Sequence, residues 1–427
     1  MKKIDQLYKD FLHSSGISTD TRDDVKNKLF FSLSGENFNG NKFAQTAIDK
    51  GALLAVVDDP AFQTGSHIIL VDNVLETLQQ LALFHRKQIN IPVIGITGTN
   101  GKTTTKELIA SVLGSTYNTV ATKGNLNNHI GVPLTLLQIN NKTEIAVIEM
   151  GANHPGEIST LCSLALPTHG IITNIGKAHL EGFGNFEGVK QTKKELYDFL
   201  EKNKKHAFVN ADDPLLGELS KNIDRITYGT NTGNVTGKII KHAPFISVEV
   251  TLPHKSFTIN SKLYGSYNFP NIMAAIAVGN HFSVSADNIR QSIEKYIPDN
   301  NRSQQITTKH NNLILDAYNA NPVSMLNAII SFEKAHFKNS MLILGDMFEL
   351  GDASKEEHQK IVDLLLEKGF KNVLLAGKAF YGTTHPFIAF ETTEQAAEFI
   401  QQNPLSNKTI LIKGSRGMHL ETLVRYL

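Results

Sequence analysis

Short apolar runs and stretches of helical spacing alternate along the first part of the chain, up to about residue 88. The runs at 29–33, 53–57 and 68–71 have the length and composition of buried strands, and 43–50 between them reads as a helix. Apolar residues at Val74, Leu75, Leu78, Leu81, Ala82 and Phe84 recur at helical spacing, so 74–88 is predicted to be a helix leading into a second block. That block opens with an apolar strand at 91–97, then a glycine turn, then a helix from about Thr103. Further strands are predicted at 144–149, 169–174 and 206–210, each followed by polar turn residues and helix-like sequence, which is the signature of a parallel α/β sheet. Ile239, Ile240, Phe245, Ile246, Val248, Val250 and Leu252 lie in alternating or short runs and predict a β-rich insertion at 235–260, with a helix at 271–281. After the linker-like Tyr296-Ile297-Pro298-Asp299, strands at 313–316, 340–344, 372–375 and 409–412 alternate with helices. The expected fold class is therefore α/β, in three domains at 1–88, 89–300 and 301–427.

The 427 residues are too many for one core. A hydrophobic share of 41% with 19% charged residues fits a soluble globular chain. The 42 basic and 41 acidic residues nearly cancel to a net +1, which argues against general nucleic-acid binding because that needs a basic field. The single cysteine, Cys162, cannot form an internal disulfide. No apolar run approaches the roughly 18 residues of a membrane helix, and no apolar segment follows the lysines near the N-terminus. A cytoplasmic monomer without membrane insertion is the expectation.

Chemistry concentrates first at Gly98-Thr99-Asn100-Gly101-Lys102-Thr103-Thr104-Thr105, between a predicted strand and a predicted helix. Successive backbone N–H groups at such a turn form an anion nest, and glycine lets phosphate oxygens approach the main chain. Lys102 would reach the terminal phosphates and the Thr103 hydroxyl would ligate magnesium. The usual phosphate loop has glycine five residues before Gly101, where this chain has Ile96, so the loop is a variant, G-x-x-G-K-T. A plain glycine turn is the alternative, and the GKTTT run favours phosphate.

Glu149 ends a predicted strand, where ligands of open α/β sheets collect, and a carboxylate there suits magnesium. His179 follows another strand among glycines, and its position alone balances a ligand role against an ordinary structural one. Lys193 and Lys194 precede Glu195 on a predicted helix and read, on residues alone, as a solvated basic face.

Motifs in order along nearly the whole chain resemble the Mur ligases. They are Thr19-Asp20-Thr21-Arg22 with Leu29-Phe30-Phe31 and Gly35-Glu36, the phosphate loop, and Gly124-Asn125-Leu126-Asn127-Asn128-His129. Glu149-Met150-Gly151-Ala152-Asn153, Asn174-Ile175-Gly176 and Ala178-His179-Leu180-Glu181-Gly182 follow. Asp316-Ala317-Tyr318-Asn319-Ala320-Asn321-Pro322, Gly345-Asp346-Met347-Phe348-Glu349 and Lys413-Gly414-Ser415-Arg416 complete the set. The resemblance implies a nucleotide-sugar domain, a central ATPase domain and a Rossmann-like C-terminal domain that closes over the site. It implies ATP with magnesium on Thr103, Glu149 and His179, and a carbamylated Lys193. It places Asn268 and Asn271 on the adenine side, Arg302 at the γ-phosphate and Asp316 at the ribose, alongside Gly98, Thr99, Asn100, Gly101, Lys102 and Thr104. Thr19, Asp20, Thr21, Arg22, Asn127, Asn128, Tyr318, Asn319 and Asn321 are implied to meet substrate. Two departures stand out: Lys28 precedes Leu29-Phe30 where the family has an acid, and Asn39-Gly40-Asn41 replaces Asp-Gly-His.

The reaction implied is ATP-dependent joining of D-alanyl-D-alanine to UDP-N-acetylmuramoyl-tripeptide through an acyl phosphate. Alternatives are a sister ligase adding one amino acid, a folylpolyglutamate synthase, and a regulator that binds ATP without ligating. The Thr19–Arg22 segment and the Tyr318–Pro322 motif speak against the folate enzyme.

Overall fold

A computed structural model describes residues 3–178, 180–252 and 255–427, so His179 lies outside the described residues. Contacts divide the chain into two compact units. The first holds the chain up to Ile96 with Tyr117–Ala152 and Gly156–Gly170; the second holds Thr97–Thr116, Asn153–Pro155 and Ile171–Leu427.

In the first unit, β1 (Ile17–Ser18), β2 (Leu29–Phe31), β3 (Leu54–Val57) and β4 (Ile68–Leu70) form a parallel sheet in chain order. Phe30, Ala55, Val57 and Ile68 build its core with Val25, Ala44, Ala47 and Ala52, the small side chains letting helix Ala44–Asp49 lie close. Helix Val74–Lys87 starts at Asn73, whose side chain accepts from Glu76 N–H at 2.9 Å, a standard N-cap. The C-terminal end of this helix buries a cation: the Arg86 guanidinium donates to Ala165 O (2.8 Å), Leu166 O (3.0 Å) and Ile89 O (2.8 Å). Two of those carbonyls end helix Glu157–Ala165, where a positive charge also suits the helix dipole.

The same unit contains β5 (Val93–Thr97) up to Ile96, β6 (Thr119–Ala121), β7 (Ile145–Glu149) and the start of β8 (His169–Ile172), in the order β8-β5-β7-β6. Both β5–β7 and β6–β7 are parallel, and β5, β7 and β8 are buried at every position, as continuous apolar runs require.

The second unit holds the end of β8 with β9 (His206–Asn210), β10 (Asp224–Gly229), β11 (Val235–Lys241), β12 (Ser247–Leu252) and β13 (Lys255–Asn260), in that order across the sheet. The last three are antiparallel, so the expected β-rich segment extends a sheet edge. A second sheet follows, built from β14 (Gln304–Thr307), β15 (Asn312–Asp316), β16 (Ser340–Gly345), β17 (Val373–Ala376), β18 (Ile388–Phe390) and β19 (Thr409–Lys413). Its order is β14-β15-β19-β16-β17-β18, parallel except for β14. Ile314, Leu342, Leu344, Leu375 and Leu411 face one core, while Leu313, Leu315, Ile343, Leu374, Ile410 and Ile412 face another. Helices therefore cover both faces.

The helices expected at 74–88 and 271–281 form as Val74–Lys87 and Phe269–His281. Strands β1, β6, β10, β14 and β18 are additional to those expected. Four of them are edges, β1 is two residues long, and β14 is Gln-Gln-Ile-Thr with alternating partial exposure, so they lack the apolar run that marks a central strand.

Candidate active site

The loop after β5 is shaped by two glycines. Gly98 has φ +141°, and a Cβ there would fall 2.0 Å from Thr173 Oγ1; Gly101 has φ +81° and begins helix Lys102–Gly114. The segment 173–176 braces this loop almost atom by atom. Thr99 N–H donates to Asn174 O (2.9 Å) and Asn100 N–H to Asn174 Oδ1 (3.0 Å), while Asn174 Nδ2 (2.9 Å) and Thr173 Oγ1 (2.6 Å) both donate to Asn100 O. Gly176 N–H donates to Thr99 Oγ1 at 2.9 Å. The Lys102 ammonium lies over the loop, donating to Gly98 O (2.7 Å) and Thr99 O (2.9 Å). A cation, a helix N-terminus and a pre-shaped glycine turn thus converge where a phosphate would sit. Thr103, buried on the first turn, offers a hydroxyl of the kind magnesium accepts, and Thr104 stands beside it, half-buried.

Asn268 and Asn271 are buried and form a relay behind the loop. Asn268 Nδ2 donates to Tyr264 O, Asn271 Nδ2 to Asn268 Oδ1, each at 2.8 Å, and Asn271 Oδ1 accepts from Thr105 Oγ1 at 3.1 Å. Asn271 also lies against Gly101, so the pair supports the turn directly.

Glu149 is 1% exposed at the end of β7, paired in register with Ile96. Asn127 Nδ2 donates to its Oε1 at 2.8 Å, and its backbone N–H donates to Thr122 Oγ1. A carboxylate fixed at one oxygen and buried at a strand end has the donor chemistry of a magnesium ligand. The Asn128 side chain meets the backbone: its Oδ1 accepts from Ile130 and Gly131 N–H at the start of helix Gly131–Leu136.

Lys193 corrects the reading from residues alone. It is 2% exposed on helix Phe186–Lys202, with its ammonium 5.4 Å from the centroid of the Phe183 ring. Lys194, next to it, is the surface lysine, paired with Asp198. The helix turns neighbouring residues about 100° apart, so one lysine faces the interior and one the solvent.

Near β15 and β19, Arg302 sits between two left-handed residues, Asn301 (φ +57°) and Ser303 (φ +53°). Its guanidinium lies 3.8 Å from the centroid of the Tyr318 ring, and Arg416 approaches the same ring at 5.3 Å. Asp316 accepts from Ser303 N–H (3.1 Å) and from the buried Lys413 ammonium (2.6 Å), which also reaches Asn319 O (3.3 Å). Asp316 and Lys413 are directly paired across β15 and β19. Asn321 caps helix Pro322–Lys334 and bonds to Asn100. The structure therefore brings Asn100, Asn321, Arg302, Asp316 and Tyr318 into one connected region of the second unit, together with Lys413, Asn174 and Tyr267, to which no role was given from sequence. Tyr267 is found through its hydroxyl, 2.7 Å from Ser303 Oγ.

In the first unit, Asp20 and Arg22 form an exposed ion pair, whose hydrogen bonds hold the Asp20 carboxyl down at about 2. Lys50 donates to Thr21 O at 2.7 Å, and Thr19 stands half-buried just after β1. Asn41, one of the departures, exchanges hydrogen bonds with Asp58: Nδ2 to Oδ1 at 2.8 Å and Asp58 N–H to Oδ1 at 3.0 Å.

The Mur ligase middle domain matches residues 96–279, and the Mur ligase glutamate ligase domain matches 301–416. The UDP-N-acetylmuramoyl-tripeptide–D-alanyl-D-alanine ligase of Bacillus subtilis (strain 168) is 35% identical over 425 residues, spanning 96% of this chain and 93% of that protein. A crystal structure of MurF from Acinetobacter baumannii superposes with a TM-score of 0.86 at 31% identity, covering 96% of this chain and 92% of the other. MurF from Thermotoga maritima in complex with ADP superposes equally well, TM-score 0.86, at 25% identity over 98% and 97% of the two chains. With the braced phosphate loop, the three sheets and full-length relatives in agreement, the chain belongs to the Mur ligase family.

Proposed function

We infer that this chain is an ATP-dependent ligase that joins D-alanyl-D-alanine to UDP-N-acetylmuramoyl-tripeptide, a step in building the peptidoglycan precursor. The observation that carries the reading is the phosphate loop at Gly98–Thr104, held in shape by 173–176 in a chain whose full-length relatives are named for that reaction. A carboxylate does not couple to an amine in water unaided. The terminal carboxylate oxygen of the tripeptide attacks the γ-phosphorus of ATP, the bond from phosphorus to the bridging oxygen breaks, and ADP leaves. The dipeptide amine then attacks the acyl carbon, the carbon–oxygen bond breaks, and that oxygen departs with phosphate while the amine loses a proton.

The chain's part in this is positioning and charge neutralisation. Lys102 and Arg302 neutralise the transferring phosphoryl group, and the N–H groups from Gly98 to Thr104 hold the polyphosphate. Asp316, fixed by Lys413, meets the ribose, and Asn268 and Asn271 support the adenine side. Thr103, Glu149 and His179 are the ligand set for magnesium, which would supply Lewis-acid neutralisation of phosphate charge; the oxygen donors of Thr103 and Glu149 fit that ion. A carbamate on buried Lys193 would add a carboxylate there, and intact mass in bicarbonate buffer tests it. Thr19–Arg22, Asn127, Asn128, Tyr318 and Asn319 are assigned to the sugar nucleotide and dipeptide, while the Asn321 amide is taken up by Ser324 and Asn100. Domain limits at 1–88, 89–300 and 301–427 are supported by the separate sheets β1–β4 and β14–β19. No described helix is long and apolar enough to cross a membrane. Separately, we propose a cytoplasmic monomer.

The test is product identity. Incubation with ATP and the tripeptide nucleotide should yield the pentapeptide nucleotide with D-alanyl-D-alanine and at least about a hundredfold less product with any single amino acid, the discrimination a built polar site can supply. Equal use of a single amino acid would replace the reading with a sister ligase.

A further inference from the structure

We propose that Asn321 is a positioning residue that ties the C-terminal helix Pro322–Lys334 to the phosphate loop, so that nucleotide on the loop is sensed by the C-terminal sheet. This goes beyond the reaction inferred above, although it takes from it that the loop holds ATP.

Three observations carry it. The side chain of Asn321 serves two partners at once. Its Oδ1 accepts from Ser324 N–H at 2.9 Å, and the Asn321 N–H donates to Ser324 Oγ at 3.0 Å, closing a capping box. Its Nδ2 donates to Asn100 Oδ1 at 2.8 Å, and Asn100 Nδ2 reaches back to Asn321 Oδ1 at 3.4 Å. The cap fixes which end of the Asn321 amide is oxygen, because a backbone N–H needs an acceptor; the NH2 is thereby aimed at Asn100.

Asn100, secondly, belongs to the loop through its backbone. Its N–H and C=O are both engaged by Asn174, and it stands directly before Gly101, where the helix that takes the phosphates begins. Any shift of that backbone on phosphate binding moves the Asn100 amide and the bond to Asn321 with it.

The contact, thirdly, does not stand alone. The backbone of Gly176, in the bracing segment, lies under Val323, the second residue of the helix; a Cβ on Gly176 would sit 3.6 Å from Val323 Cγ2. Lys177 pairs with Glu357 of helix Ser354–Glu367 at 3.9 Å. The loop and residues 176–177 thus meet the C-terminal elements at three points, and among the described residues the Asn100–Asn321 pair is a reciprocal side-chain link to the loop itself. Residues 316–321 run on from Asp316 and Tyr318, the ring on which Arg302 lies, to the cap.

The cap and the tie can be separated by substitution. Serine caps helices about as well as asparagine but is too short, and has no second donor, to hold Asn100. Asn321→Ser should keep the thermal midpoint and nucleotide affinity of the wild type within about twofold in Kd, while kcat falls at least about tenfold. Hydrogen exchange of the full chain, with and without a non-hydrolysable ATP analogue, gives a second readout. Amides of 316–324 should gain protection in the wild type and not in Asn321→Ser. Asn321→Ala, which loses the cap too, should lose stability as well as turnover. Wild-type kcat in Asn321→Ser would overturn the proposal, as would nucleotide-dependent protection that survives in that variant. So would a drop in turnover seen in Asn321→Ala alone, which would reduce the residue to a helix cap. None of these outcomes bears on which amine the enzyme accepts, so failure here is distinct from failure of the proposed reaction.

Discussion

Lys102 is the residue on which most of the proposed chemistry converges. Its ammonium bridges Gly98 O and Thr99 O, so it is already aimed across the loop opening. Removing one such preorganised donor costs roughly 3–4 kcal/mol of transition-state stabilisation, or about 10²–10³ in kcat. Lys102→Ala is therefore expected to fold with a wild-type melting profile and to lose turnover on that scale; phosphate release at the wild-type rate would remove Lys102 from the mechanism. The glycine and lysine pattern made this site legible from sequence, because local backbone geometry creates it. Lys193, Lys413 and Asn321 were harder. Burial of Lys193 against Phe183 depends on which way a helix is turned, and the partners of the other two lie 97 and 221 positions away in the chain. Nothing in a local window records such pairs.

Among the elements, the C-terminal helix Ser354–Glu367 carries a titratable group in the core. His358 is fully buried. Its Nε2 accepts from Met347 N–H at 3.0 Å, so the ring proton is on Nδ1, donating to Ser354 O at 2.7 Å. Burial pushes its pKa down, against the opposing pull of the Ser354 carbonyl and the Asp346 and Glu357 carboxylates. His85 in helix Val74–Lys87 is lowered by burial too, against its bond to Ile139 O. In the unfolded chain both accept a proton near the ordinary value of about 6.5, so the unfolded state binds protons first as pH falls. The stability these rings contribute is complete above about pH 6.5 and declines below it, towards their lower folded values. Thermal midpoints should hold nearly level from about pH 7.5 to about pH 6.5 and fall from there to about pH 5.5, and a His358→Gln variant should show a shallower decline. A midpoint flat across that range would contradict the burial argument. Strands with continuous apolar runs, such as β5, β7 and β16, were evident from sequence because both faces of a parallel sheet are covered. Edge strands β6, β14 and β18 were not, since half-exposed polar strands carry no such run.

For the molecule as a whole, an ATP-binding turn alone would fit many enzymes. What narrows it is the order of motifs along the entire chain, from Thr19–Arg22 to Lys413–Arg416, set on three α/β sheets. The central claim is that ATP is used to make an acyl phosphate on the peptide substrate. Oxygen transfer tests this directly: the tripeptide nucleotide is prepared with its terminal carboxylate enriched in a heavy oxygen isotope and turned over with ATP and D-alanyl-D-alanine. One labelled oxygen should appear in each phosphate released, because the carboxylate oxygen that attacks phosphorus leaves with it. Phosphate carrying only unlabelled oxygen from ATP and water would mean that the carboxylate never bonded to phosphorus, and the mechanism would be wrong.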